Sequence, residues 1–88
     1  MPFRWNEWNL DDATRHGVTP AEAEAVVTAA KPPYPEQVGG GKYRVLARGA
    51  AGEFVQVLYV VDADGTLYII HARPLTEQEK KRFRRRTR

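Results

Sequence analysis

A chain of 88 residues, 42% hydrophobic and 28% charged, is one domain's worth of sequence with a limited core, which excludes wholesale disorder and a separate regulatory domain. It contains no cysteine and no serine, so disulfides, thiolate metal sites and a serine nucleophile are excluded. The net charge of +3 conceals a split: seven of the fourteen basic residues lie in residues 80–88, which hold no acid, so residues 1–79 carry −4 and the tail carries +7.

A basic tail suits an anionic partner such as nucleic acid, a membrane surface or an acidic protein. A solvated tail that aids solubility is the other reading. The opening MPFRWNEWN has acids and amides where a signal peptide has an apolar core. The longest aliphatic and aromatic run, Val57–Val61, is far shorter than the ~20 residues of a membrane span. The expectation is a soluble, cytoplasmic protein with no membrane partner, folded as a single domain over residues 1–88.

In chain order, residues 5–16 read as a first helix, with apolar mass from Trp5, Trp8 and Leu10. Gly17 stops it, and Arg15 and His16 fall in the last turn, where cations suit the helix dipole. Thr19-Pro20-Ala21-Glu22 is a capping box with a compatible proline, opening a second helix that runs to about Ala30. Its apolar stripe is Ala23, Val26, Val27 and Ala30. Lys31–Gly41 holds three prolines and three glycines, which argues against regular structure there.

Three strands follow at 42–48, 54–61 and 66–73, joined by turns at Gly49–Gly52 and Asp62–Gly65. Short turns between consecutive strands predict an antiparallel meander. Pro74 ends the sheet, and Thr76 with Glu79 forms a capping box that opens a C-terminal helix running into the tail. The expected fold class is α+β: two N-terminal helices, a three-stranded antiparallel meander and a C-terminal helix.

Neither histidine, His16 or His71, has a second histidine or a cysteine at ligand spacing, so no metal or other cofactor is expected. Acid–base and electrostatic chemistry remains. Strand alternation puts Ile69, His71 and Arg73 on one face, and Tyr68, Ile70 and Ala72 on the other. Arg44 and Arg48 share a face of the first strand with Leu46. Arginines on flanking strands can hold phosphate, and their planar forks suit a developing phosphorane. A nearby imidazole can move the proton of an RNA 2′-hydroxyl. Plainer readings stand beside this one. His16 can cap its helix, Arg73 can pair with Glu79, Arg44 and Arg48 can be ordinary exposed residues, and the tryptophans can be core or interface anchors.

The order of motifs resembles the BrnT-like toxin family. Trp5-Asn6-Glu7, Asn9 and Arg15-His16-Gly17-Val18-Thr19-Pro20, followed by Glu22 and Ala23, resemble that family's opening. Tyr43-Arg44-Val45-Leu46, Leu58-Tyr59-Val60-Val61 and Ile69-Ile70-His71-Ala72-Arg73 resemble its strands. Thr76, Glu79 and Phe83 resemble its closing helix. Departures are Asn6 for an aspartate, His71 for a serine or threonine, Lys80 for an arginine, and the segment 32–41.

The resemblance implies a RelE-like fold and a metal-independent endoribonuclease toxin of a type II toxin–antitoxin pair, which cleaves RNA and inhibits translation. It implies a cognate antitoxin of ribbon-helix-helix type, in a heterotetramer with the toxin. By motif match the candidate catalytic residues are His16, Arg44, Arg73 and Glu79, with His71 added from the strand reading. His16 or His71 would transfer protons, Arg44 and Arg73 would hold phosphate, and Glu79 would orient. Arg15, Arg48, Lys80, Lys81, Arg82, Arg84, Arg85 and Arg86 are the expected RNA-binding cations. The alternative is a catalytically degenerate interaction module that binds the antitoxin or another protein.

Overall fold

The computed structural model describes residues 2–49 and 52–86, with the side chain of Arg86 excepted. Asn6, not Trp5, opens the first helix. Its Oδ1 accepts from the backbone N–H of Trp8 at 3.0 Å and of Asn9 at 3.3 Å, while Asn9 Oδ1 accepts from the Asn6 N–H at 2.7 Å. This reciprocal capping box starts α1 (Glu7–Arg15), two residues later than its composition suggests. The residues ahead of it enter a short strand, β1 (Phe3–Arg4), which the sequence does not signal.

Gly17 adopts φ +78°, the left-handed conformation that ends a helix at little steric cost. Thr19 then caps α2 (Pro20–Thr28), its Oγ1 accepting from the Glu22 N–H at 3.1 Å. The expected stripe is buried: Ala23, Val26 and Val27 belong to the core, and Ala30, beyond the helix end, packs against it.

The proline- and glycine-rich segment is not wholly irregular, since Glu36–Gln37 form a strand, β2. The longer strands are β3 (Lys42–Arg48), β4 (Phe54–Val61) and β5 (Leu67–Pro74), and α3 (Glu77–Arg86) closes the chain. Ala50 and Ala51 of the first turn, and Thr87 and Arg88 of the tail, lie outside the described residues.

The meander expectation requires correction. β3, β4 and β5 do pair antiparallel in succession, but the sheet is five-stranded and mixed, in the order β1-β5-β4-β3-β2, with β1 parallel to β5. Two-residue edge strands carry too little pattern to be read from sequence. The fold class is α+β, with three helices among the described residues.

α1 and α2 cover one face of the sheet. Ala13, Val18, Val26 and Val27 pack there against Val45, Val55, Val57, Tyr59, Ile69 and Ala72. α3 lies on the opposite face, held by Phe83, whose ring sits 5.4 Å from Phe54 and 6.0 Å from Tyr34. The alternation assigned to β5 fails at one point. Leu58 pairs with His71 but Tyr59 pairs with Ile69, so Ile70 is an extra residue in a β-bulge. Ile69 and Ala72 therefore both turn to the core, while His71 and Arg73 stay together on the α3 face. Among the described residues, no helix is long and apolar enough to cross a membrane.

Candidate functional site

α1 carries Asp12 and His16 one turn apart, and β5 brings His71 beside them. His16 is the C-cap of α1, and its Nδ1 lies 2.7 Å from the Asp12 carbonyl oxygen. A carbonyl only accepts, so the Nδ1–H donates. His71 Nδ1 lies 3.2 Å from Asp12 Oδ1 and 3.1 Å from Oδ2. The carboxylate likewise holds the His71 proton on Nδ1. In each neutral ring, Nε2 is then the unprotonated nitrogen. The ring centroids are 5.1 Å apart and the planes cross at 76°. The side chains are 34% and 27% exposed, so solvent reaches both imidazoles.

Asp12 also secures the backbone. Its Oδ2 accepts from the Ala72 N–H at 3.1 Å, at a point where β5 has run past its short partner β1. One carboxylate thus caps an open strand edge and orients an imidazole.

Two residues along β5, Arg73 makes a two-pronged ion pair with Glu79, both N···O distances being 2.7 Å. Glu79 Oε1 also accepts from the Thr76 N–H at 2.9 Å, and the Glu79 N–H donates to Thr76 Oγ1 at 3.2 Å. The capping box expected from sequence therefore also positions a guanidinium. The Arg73 hydrogen bonds, with help from Thr76 and against partial desolvation, hold the Glu79 carboxyl down at about 2. The same pair raises Arg73 above its ordinary value.

Arg44 is also paired. Its Nε–H donates to Glu36 Oε1 at 2.9 Å, and a second guanidinium N–H donates to the same oxygen. Register aligns Arg44, Leu58 and His71 in one row across the sheet, and Leu46, Gln56 and Arg73 in the next. With strands ~4.8 Å apart, the Arg44 and His71 backbones are separated by roughly 10 Å. Between the rows and α3 lies a cavity of about 150 Å³, lined by Arg44, Gln56, Glu79 and Arg82 among others. The structure thus brings His16 against His71, places the Arg73–Glu79 pair two residues along β5, and sets Arg44 in the His71 row two strands away.

The cations expected to hold RNA are more dispersed. Arg15 pairs with Asp11 at 2.9 Å on the exposed side of α1. Arg48 lies over the Phe54 ring at 4.7 Å, and Arg84 lies over the same ring at 5.8 Å. Lys80 reaches Glu77 at 3.2 Å. Lys81, Arg82 and Arg85 line one shallow depression on α3. Arg86 is the last helical residue, and its side chain lies outside the described set.

Sequence reading missed two residues. Asp12 was detectable, standing four positions before His16 on a helix and therefore on the same face. Glu36 was not, because nothing in the proline-rich segment marks a strand. Sequence spacing gives neither histidine a second histidine or a cysteine, whereas the fold brings the two histidines together across 55 positions of chain. Among the described residues, Asp12, His16 and His71 form a group able to hold a metal ion, with one donor atom from each lying within 4.8 Å of the others. Trp5 behaves as an anchor, its Nε1–H donating to Glu24 at 2.7 Å, but Trp8 is 75% exposed and is no core residue. Comparison with protein families, curated proteins and solved structures finds no match to this chain.

Proposed function

We propose that this protein is a BrnT-like, metal-independent endoribonuclease that acts in the cytoplasm as the toxin of a toxin–antitoxin pair. The observation that carries this reading is the pair of imidazoles 5.1 Å apart, each with Nδ1 tied to an oxygen of Asp12, beside the Arg73–Glu79 pair. One neutral imidazole takes the proton from a ribose 2′-hydroxyl through Nε2. The freed oxygen attacks the adjacent phosphorus. The bond from phosphorus to the 5′-oxygen breaks, and that oxygen takes a proton from the other, protonated imidazole. The products are a 2′,3′-cyclic phosphate end and a 5′-hydroxyl end. Arg73, and Arg44 from across the face, stabilise the charge gathering on the phosphoryl oxygens. Glu79 fixes the Arg73 fork. The basic side chains of α3 supply the electrostatic attraction for the RNA backbone.

The experiment is expression of the chain in a bacterial host together with an assay of the purified protein on RNA. Growth arrest and cleavage are expected, both relieved by His16→Ala or Arg73→Ala. A protein that neither arrests growth nor cuts RNA removes this reading.

A second reading is a catalytically degenerate module that binds a ribbon-helix-helix antitoxin. It is favoured by the exposure of Trp8 on α1 and by the carboxylates that occupy Arg44 and Arg73 at rest. A protein that binds the antitoxin but leaves RNA intact fits this reading alone.

A further inference from the structure

We infer that Asp12, His16 and His71 form a binding site for a single late first-row divalent metal ion, of which Zn²⁺ is the reference case. All three donor atoms lie within 4.8 Å of one another before any ion arrives. Asp12 Oδ2 lies 3.1 Å from His71 Nδ1 and 3.8 Å from His16 Nδ1. A tetrahedral zinc with bonds of about 2.0–2.1 Å sets its donor atoms roughly 3.3 Å apart. Two edges of the donor triangle are thus already within about half an ångström of that spacing. A cation entering here takes the place of the proton now lying between His71 Nδ1 and the carboxylate, and His16 exchanges its bond to the Asp12 carbonyl for the ion.

Three further features support the site. Asp12 and His16 stand at i and i+4, a spacing that presents two ligands from one helical face. Both imidazoles are a quarter to a third exposed, which leaves a route in and a position for water as the fourth ligand. The site lies at the C-terminal end of α1, where the helix dipole favours positive charge. Two imidazoles and one carboxylate select borderline metals over Mg²⁺ and Ca²⁺, which prefer all-oxygen shells. Asp12 needs little rearrangement, because the Ala72 N–H already orients its Oδ2.

This goes beyond the cleavage reading, with one consequence that rests on it: an ion holding both imidazoles removes the proton-transfer groups, so Zn²⁺ inhibits cleavage and a chelator restores it. The test needs no RNA. The untagged full chain is titrated with Zn²⁺ alone by calorimetry, and its histidine ring nitrogens are followed by ¹⁵N NMR. The chain has two histidines, so assignment is direct.

The expected result is one ion per chain, movement of both ring systems on binding, and no competition from Mg²⁺ or Ca²⁺. His16→Gln and His71→Ser should each weaken binding at least tenfold, and His71→Ser keeps the Asp12–Ala72 bond that secures the strand edge. Absence of stoichiometric binding to the folded parent, or ring resonances that ignore the ion, overturns the proposal. So does undiminished affinity in both folded variants. If a variant fails to fold, the parent's ring resonances decide the matter alone.

Discussion

His71 and Asp12 stand 59 positions apart in sequence, yet His71 Nδ1 lies 3.1 Å from Asp12 Oδ2. That contact joins the first helix to the last long strand and sets the tautomer of an imidazole. The same Asp12 oxygen holds the Ala72 N–H. Asp12→Ala should therefore act twice. It leaves a strand-edge N–H without its carboxylate, lowering stability by about 1–2 kcal/mol. It also frees the His71 ring to rotate. Urea denaturation checks the first effect. A loss of cleavage in the folded fraction larger than that in Thr14→Ala, a substitution on the same helix, checks the second.

Glu79 gives a pH prediction with a definite sign. Its carboxyl is held at about 2 in the folded chain, against an ordinary value of 4.5. A depressed acid stabilises the fold fully above its unfolded value, and that contribution is lost as pH falls through the folded one. The stability gap between the parent and Glu79→Gln should be constant above pH 4.5 and should close between pH 4.5 and about 2. Denaturation at a series of pH values measures it. A Glu79 carboxyl that titrates by NMR near 4.5 would contradict the Arg73 clamp.

Arg44 is held by Glu36 at rest, so phosphate must displace a carboxylate before it binds there. Glu36→Gln removes that competitor while keeping an oxygen to receive one N–H. RNA affinity at low salt should rise roughly threefold, equivalent to about 0.6 kcal/mol. Fluorescence anisotropy with a labelled single strand reads the change. The Arg44→Gln, Glu36→Gln double variant should lose the gain.

The basic helix should reveal itself through salt. Each phosphate contact made to single-stranded nucleic acid contributes about −0.7 to the slope of log affinity against log salt. Replacing Lys81, Arg82 and Arg85 together by glutamine should flatten the slope by about 2 if all three make contact. It should leave stability almost unchanged, since Lys81 and Arg82 are exposed and Phe83 and Glu79 carry the docking of α3. An unchanged slope would reduce the helix to a solubility device.

The parts of this fold that rest on local chemistry were legible in the sequence. Thr19 with Pro20 and Thr76 with Glu79 mark helix starts that the structure bears out, and the stripe of Ala23, Val26 and Val27 is buried. The parts that depend on distant partners were not. β1 exists because Phe3 and Arg4 find Leu67 and Tyr68 across more than sixty positions. The Ile70 bulge lets β5 bury both Ile69 and Ala72, three positions apart, and strict alternation cannot express that. The candidate site shows the same division. His16, Arg73 and Glu79 were nameable one by one, and Asp12 could be placed beside His16 by its spacing, but its contact with His71 emerges only when a helix meets a strand.

The proposed reaction is metal-independent RNA cleavage by two imidazoles oriented by Asp12. The direct measurement is incubation of the purified, untagged chain with RNA in excess chelator, with analysis of the ends produced. The expected products carry 2′,3′-cyclic phosphate and 5′-hydroxyl ends, with rates falling about a hundredfold or more in His16→Ala and in His71→Ala. Intact RNA at protein excess, or equal cleavage by the parent and both histidine variants, would contradict it.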